Sequence, residues 1–322
     1  MNKLTIKHKK KIIKKNKKIT KRNIKTKINI KKLIGGSKKF VSLNCSPENK
    51  NSALNKFTCY SQEDLNKLKE LWNARHPDNK IDTHDAKTIW TKLRTFYANK
   101  CDKESCWVKQ ITKNERLEKD LLDAFAPESP DDWKKNPNEW LSSLDILSVM
   151  NQYEKKYKCF DFLGPSPIDF NTHMINGECV WEELCHFNLE KFIAKGKFKI
   201  GIIFNTDPHY KSGSHWISMF INCKKGTIFF FDSAGDPAPK EIKQFANNII
   251  QQGIELTNPI KFNFDQNYPT EHQYGNTECG IYSLFFIVHM LEDKITQHYL
   301  KTHELKDKYM EKFRKVYFNS DL

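Results

Sequence analysis

One cysteine in this chain stands where a thiolate would be made. Cys279 follows Gln273-Tyr274-Gly275-Asn276-Thr277-Glu278 and leads through Gly280 into the apolar run Ile281–Met290, a pattern that predicts a helix opening at Cys279. The first turn of a helix presents unpaired backbone N–H groups and the positive end of its dipole, and both lower a thiol's pKa. Gly280 removes a side chain just behind the nucleophile. Gly275 with Asn276 lets the preceding loop bend sharply, so that Gln273 can bring its amide toward the same point.

A base and its orienting acid stand upstream. Residues 214–221 and 226–232 read as two strands joined by a tight turn at Asn222–Lys225. If the hairpin is symmetric about the Cys223–Lys224 bond, His215 and Asp232 oppose each other directly and project from one side of the sheet. A thiol, an imidazole, a carboxylate and an amide donor are the parts of acyl transfer. Cys279 would attack a carbonyl, and His215 would hold the thiol proton and deliver it to the leaving amine. Asp232 would fix the imidazole tautomer, and Gln273 with the Cys279 N–H would stabilise the oxyanion. No cofactor is required by this chemistry, and no metal set is read from the sequence.

The elements that must position these residues fall into three parts. Residues 1–50 read as a disordered basic tail and 51–129 as a helical module, with 130–322 as the catalytic domain. In the module, Ser61 and Asp64 predict a capping box for a helix whose Leu65, Leu68, Leu71 and Trp72 share a face. Ile89, Leu93, Phe96 and Tyr97 mark a second helix, and Leu117, Leu121, Leu122 and Phe125 a third. Cys101 and Cys106 could be half of a metal site, but no matching pair follows, and buried structural cysteines are the preferred reading. Beyond Asp131, Trp133, Trp140-Leu141 and Ile146–Met150 suggest a buried helical entry, and Gly164-Pro165-Ser166-Pro167 a loop. Strands at 198–204, 214–221, 227–232 and 260–264, with a helix near 239–251, predict an α+β domain with a mainly antiparallel sheet.

The net charge of +15 belongs to the tail. Residues 1–36 carry fifteen Lys or Arg and no acid, which leaves 39 basic against 39 acidic residues in the rest of the chain. Such a tail can hold nucleic acid or an acidic surface through counterion release, serve as a targeting segment, or remain simply solvated. No apolar stretch of secretory or membrane-spanning length appears, so a soluble intracellular protein is expected. Nine cysteines without a regular framework, in a chain large enough to fold without staples, predict reduced thiols.

The order His215-Trp216, a strand ending in Asp232, then Gln273-x5-Cys279-Gly280 resembles the SUMO-specific and adenoviral-type cysteine protease superfamily, over roughly residues 138–291. The resemblance implies a permuted papain-like domain with the catalytic and oxyanion roles on His215, Asp232, Cys279 and Gln273. Trp140-Leu141 with Asp145-Ile146 resembles the Trp-Leu motif of SUMO proteases. Trp140 and Trp216 would then flank a Gly-Gly of the substrate in a narrow tunnel, the alternative being two core tryptophans. The helical module with its Trp-rich entry looks most like the polyprotein-processing proteases of large DNA viruses, of the African swine fever virus type.

That likeness implies cleavage after Gly-Gly in viral structural precursors during virion maturation, in the virion and host cytoplasm. Leu33-Ile34-Gly35-Gly36-Ser37 itself looks like a Gly-Gly-X site at which the tail could be removed after Gly36, or is an ordinary linker. Two other functions are open. The chain could remove SUMO or ubiquitin from host conjugates, or be a nucleic-acid-binding virion protein on an inactive protease scaffold.

Overall fold

The computed structural model describes residues 40–50, 52–175 and 177–319, so that most of the predicted tail, with Gly35 and Gly36, lies outside the described residues. Helix α1 (Gln62–Arg75) opens on the capping box of Ser61 and Asp64 and buries Leu65, Leu68 and Trp72. Helix α2 (Ala86–Tyr97) turns Ile89 and Leu93 onto the same core. A helix that the sequence pattern did not separate, α3 (Ser105–Ile111), adds Trp107 and Val108, and α4 (Glu115–Leu122) adds Leu121.

Residues 40–50, assigned from sequence to the tail, pack on this module instead. The Val41 N–H donates to the Asp102 carbonyl over 2.7 Å, and Phe40 lies edge-on to Trp90 with ring centroids 6.0 Å apart. Burial of Phe40 and Leu43 offsets the entropy of ordering this stretch. The expectation of reduced thiols is also corrected. Cys45–Cys59, Cys101–Cys106 and Cys179–Cys185 are disulfide-bonded, with Cα atoms 5.0, 5.6 and 6.2 Å apart, and Cys159, Cys223 and Cys279 are free. Turns of the folded chain bring each pair within bonding reach, which an odd cysteine count does not reveal.

The catalytic region starts with α5 (Ser143–Lys156), capped by Ser142 and Asp145. Strand β1 (Phe160–Pro167) follows, then short helices α6 (Glu182–Cys185) and α7 (Leu189–Ala194), and strands β2 (Lys199–Asn205), β3 (Trp216–Asn222) and β4 (Thr227–Phe231). Helix α8 (Lys240–Glu255), strand β5 (Asn263–Gln266) and helices α9 (Cys279–Leu291), α10 (Gln297–Thr302) and α11 (Asp307–Tyr317) complete it.

The strands lie in sequence order in one sheet, which is mixed rather than mainly antiparallel. β1 with β2 and β4 with β5 are parallel, because a helical crossover joins each pair, and the two inner ladders are antiparallel. Gly164-Pro165-Ser166-Pro167, read as a loop, lies within β1. Its register breaks between Leu163 and Ser166, and prolines are tolerated at a sheet edge, where no outer neighbour needs their missing N–H. Strand residues alternate between two cores: Trp216 and Phe220 face α9 and α5, whereas Ile217, Met219 and Ile221 face α8. Helix α9 is apolar almost all round and is buried accordingly.

The β3–β4 turn also differs from the predicted one. Asn222 pairs with Thr227 and Ser218 with Phe231, so the loop is Cys223–Gly226 and its centre lies one residue further along than predicted. Asn222 Oδ1 accepts from the Lys225 N–H over 3.1 Å, and Gly226 takes φ +61°, which favours glycine and keeps it out of the strand. The shift moves each opposed pair by two residues. Because side-chain direction repeats every two residues, His215 and Asp232 stay on one face.

Asn319, just past α11, ties the helical module to the catalytic region. Its side-chain amide donates to the Ala126 carbonyl over 2.8 Å, and its Oδ1 accepts from the Asn44 N–H over 2.6 Å.

Candidate active site

His215 sits one residue before β3 and Asp232 one residue after β4. They meet diagonally, with Nε2 2.7 Å from Asp232 Oδ1. The end of β2 braces the histidine: its carbonyl accepts from the Thr206 N–H over 2.9 Å, and the Asn205 side chain accepts from the Ser214 N–H over 3.2 Å. Buried Asn267, which no sequence pattern singled out, grips Asp232 from behind. Asn267 Oδ1 accepts the Asp232 N–H at 2.9 Å, and its amide donates to the Asp232 carbonyl at 2.7 Å. Asp232 Oδ1 also accepts from the Ala234 N–H at 2.9 Å.

Cys279 opens α9, where its backbone N–H faces no intrahelical acceptor, and its sulfur acts electrostatically on the His215 imidazole. With Nε2 engaged by Asp232, Nδ1 is the imidazole nitrogen left for the sulfur. Burial by itself would lower the His215 pKa. The hydrogen bond and charge of Asp232 and the electrostatic effect of Cys279 outweigh it and push the pKa up to about 10. The imidazole is therefore held as a cation beside the sulfur at neutral pH.

Gln273 is buried close to the loop that leads into α9. Its Oε1 accepts from Ser233 Oγ over 2.8 Å, and its Nε2 donates to the Gly275 carbonyl over 2.9 Å, leaving the second amide proton for another acceptor. Ser233, the residue after Asp232, therefore orients Gln273, a link that nothing in the sequence signalled.

Trp140 and Trp216 line one cleft of about 780 Å³ together with Leu141 and Trp181. The two differ in exposure: Trp216 is 8% exposed and Trp140 is 39% exposed. Trp216 donates Nε1–H to the Leu141 carbonyl over 3.0 Å, which holds the Trp140-Leu141 segment against β3. A β-carbon at position 280 would stand 3.0 Å from Leu141 Cβ, so Gly280 is what lets this segment press on the first turn of α9. The structure pairs His215 with Asp232 as expected from sequence and sets Trp140 and Trp216 in one cleft, whose lining holds none of His215, Asp232, Gln273 and Cys279. Sequence reasoning missed Arg314 on α11, whose guanidinium pairs with Glu278, the neighbour of Cys279.

A sulfur at a helix start, a charged imidazole held by a carboxylate and a spare amide proton make a site suited to thiol-based acyl transfer. The fold and site define a cysteine protease. The chain belongs to the Ulp1 protease family, whose C-terminal catalytic domain model matches residues 145–321, a span that contains His215, Asp232, Gln273 and Cys279 but not Trp140. It is 27% identical over 301 residues to a protein of Acanthamoeba polyphaga mimivirus named as a thiol protease, covering 86% of this chain and 93% of that one. It is 28% identical over 261 residues to a cysteine protease of African swine fever virus, covering 75% and 92%. The crystal structure of the African swine fever virus protease superposes with a TM-score of 0.61 at 20% identity, over 86% of this chain and 97% of that one. The shared fold thus extends ahead of residue 145 into the helical module.

Proposed function

We propose that this protease cleaves peptide bonds after Gly-Gly in viral structural precursors during virion maturation, with Cys279 as nucleophile. The observation that carries this reading is the cleft lined by Trp140, Leu141 and Trp216, the last of these being the residue that follows His215 in the chain. A cleft that two indoles help to wall admits an extended chain most readily where that chain lacks side chains.

In this mechanism Cys279 Sγ attacks the carbonyl carbon of the second glycine, and the oxyanion takes hydrogen bonds from the Cys279 N–H and the Gln273 amide. His215 delivers its proton to the leaving amine as the C–N bond breaks and the thioester forms. A water then loses a proton to His215 and attacks the thioester, which releases the acid and restores the thiolate beside the charged imidazole. Asp232 keeps the imidazole in register and stabilises its charged form.

The African swine fever virus relatives, three of which are named SUMO-1 cysteine proteases, support a substrate ending in Gly-Gly. The basic tail gives the reading a regulatory side. Cutting after Gly36 would remove the fifteen basic residues and take the chain from +15 to neutral, releasing it from nucleic acid or an acidic surface.

The test is a panel of Gly-Gly-Ser, Gly-Gly-Ala and Gly-Ala-Ser peptides set beside folded SUMO and ubiquitin precursors, cut by the protein and by Cys279→Ala. Cleavage of short Gly-Gly-X peptides, lost in the variant, is expected. Cleavage of the folded modifiers alone would move the function to deconjugation, and salt-sensitive nucleic-acid binding without any cleavage would move it to a scaffold role. Mass spectrometry of the incubated protein reads whether the tail is lost after Gly36.

A further inference from the structure

A second cluster of reactive side chains lies away from Cys279, between β1 and α7. His173 and Cys179 face each other across a small antiparallel bridge, and the single turn of α6 brings Cys185 and His186 back beside them. Cys179 Sγ lies 3.7 Å from His173 Nε2 and 3.8 Å from His186 Nε2. The donor atoms of His173, Cys179 and Cys185 all fall within 4.8 Å of one another. A tetrahedral zinc ion with Zn–S near 2.3 Å and Zn–N near 2.0–2.1 Å sets its S···N edges at roughly 3.6 Å. Both S···N separations therefore already match the edges of such a tetrahedron.

We propose that His173, Cys179, Cys185 and His186 bind one Zn²⁺ as a tetrahedral Cys2His2 site when the Cys179–Cys185 disulfide is reduced. A thiol reductant supplies two electrons and two protons, becomes a disulfide itself, and leaves two thiols. Zinc binding then releases both thiol protons, so two thiolates and two neutral imidazoles give a site of zero net charge. With the two Cα atoms 6.2 Å apart, the sulfurs can separate to the tetrahedral edge of roughly 3.8 Å without moving the backbone far.

Glu182 supplies the outer support that such sites use. Its Oε1 accepts from the Cys179 N–H over 2.9 Å and so orients one ligand, whereas its Oε2 lies 3.1 Å from His186 Nε2, the nitrogen the zinc would take, a contact that metal binding displaces. The site also has a place in the architecture. Val180 and Trp181, which follow Cys179, line the cleft that holds Trp140 and Trp216. Among the described residues of this segment the regular structure is the four-residue α6, whose Leu184 anchors it in the core, and a metal crosslink would tie its end to the strand bridge at His173 and Cys179. This departs from the sequence reading, which assigned no metal, because His173-x5-Cys179-x5-Cys185-His186 matches no paired-cysteine spacing.

The test uses the full-length Cys279→Ala protein, which removes the thiolate of the other site, reduced with a phosphine and equilibrated with Zn²⁺ or Co²⁺. One zinc per chain is expected after gel filtration. The cobalt form should show the intense visible bands of a tetrahedral ion and a near-ultraviolet thiolate-to-cobalt band. Both signals should be lost in Cys179→Ser/Cys185→Ser, and should weaken in His173→Ala, a change at an exposed residue that leaves the core intact. Cys101→Ser and Cys45→Ser should leave them unchanged. The proposal is overturned if the reduced protein takes up no more metal than the double serine variant, or if bound cobalt shows no thiolate band.

Discussion

Arg314 and Glu278 form a bidentate ion pair in the interior, with Arg314 Nε 2.9 Å from Oε2 and Nη2 2.8 Å from Oε1. The same guanidinium donates to the carbonyls of Glu139 over 2.7 Å and Thr277 over 3.1 Å, and it stacks 4.5 Å above the Trp133 ring. One side chain of α11 thus joins the residue before Cys279 to the residue before Trp140. It sets the distance between the proposed nucleophile and the wall of the cleft.

Arg314→Met leaves the Glu278 carboxylate buried without a partner, at a cost of about 3–5 kcal/mol. The pair Glu278→Gln/Arg314→Met removes the stranded charge and should recover most of the lost stability, but not the tie to Glu139. Thermal unfolding of the double variant should therefore approach that of the parent while its peptide kcat/KM stays about tenfold low or worse. Recovery of both would reduce the ion pair to a stabilising role.

Ser233→Ala releases Gln273 Oε1 and lets the amide turn. A fall in kcat with little change in KM is expected, smaller than the roughly 10²–10³-fold loss expected for Gln273→Ala. In a Gln273→Ala background the serine substitution should add almost nothing, because its effect passes through the amide. An additive double variant would separate Ser233 from the oxyanion site.

Gly280→Ala places a methyl 3.0–3.3 Å from three atoms of Leu141. The leucine must yield, and its carbonyl carries the Trp216 hydrogen bond. Steady-state cleavage of a Gly-Gly-Ser peptide should show kcat/KM lower by about 10- to 100-fold, with Tm nearly kept.

The pKa of His215, near 10, lies above the ~6.5 of a free histidine, because Asp232 and Cys279 overcome the cost of burial. The stability contributed by the charged imidazole is complete below about pH 6.5 and is lost as pH rises toward 10. Activity should persist well into the alkaline range and fall as His215 loses its proton. Asp232→Asn should lower kcat and shift that alkaline limb to lower pH, which a pH–rate profile measures. An unmoved limb in the variant would assign it to another group.

Much of the site was legible because its signals are local. The apolar run after Cys279 predicts the helix start, and the two-residue period of 214–232 puts His215 and Asp232 on one face even though the turn was placed one residue short. The capping box predicted at Ser61 rests on contacts three residues apart. The Pro-rich strand β1 was not legible, since its pairing with β2 depends on where the sheet ends.

The sequence by itself determined that a helix opens at Cys279 and that His215 and Asp232 share one face of the sheet, where they lie 2.7 Å apart. Tertiary structure alone decided what holds them in place. Asn267 reaches Asp232 across 35 residues, Ser233 reaches Gln273 across 40, and Arg314 reaches Glu278 across 36. The physical reason is that a helix or strand is written in the periodicity of neighbouring residues. A buried hydrogen bond between distant segments is written only in the packing that excludes water from it.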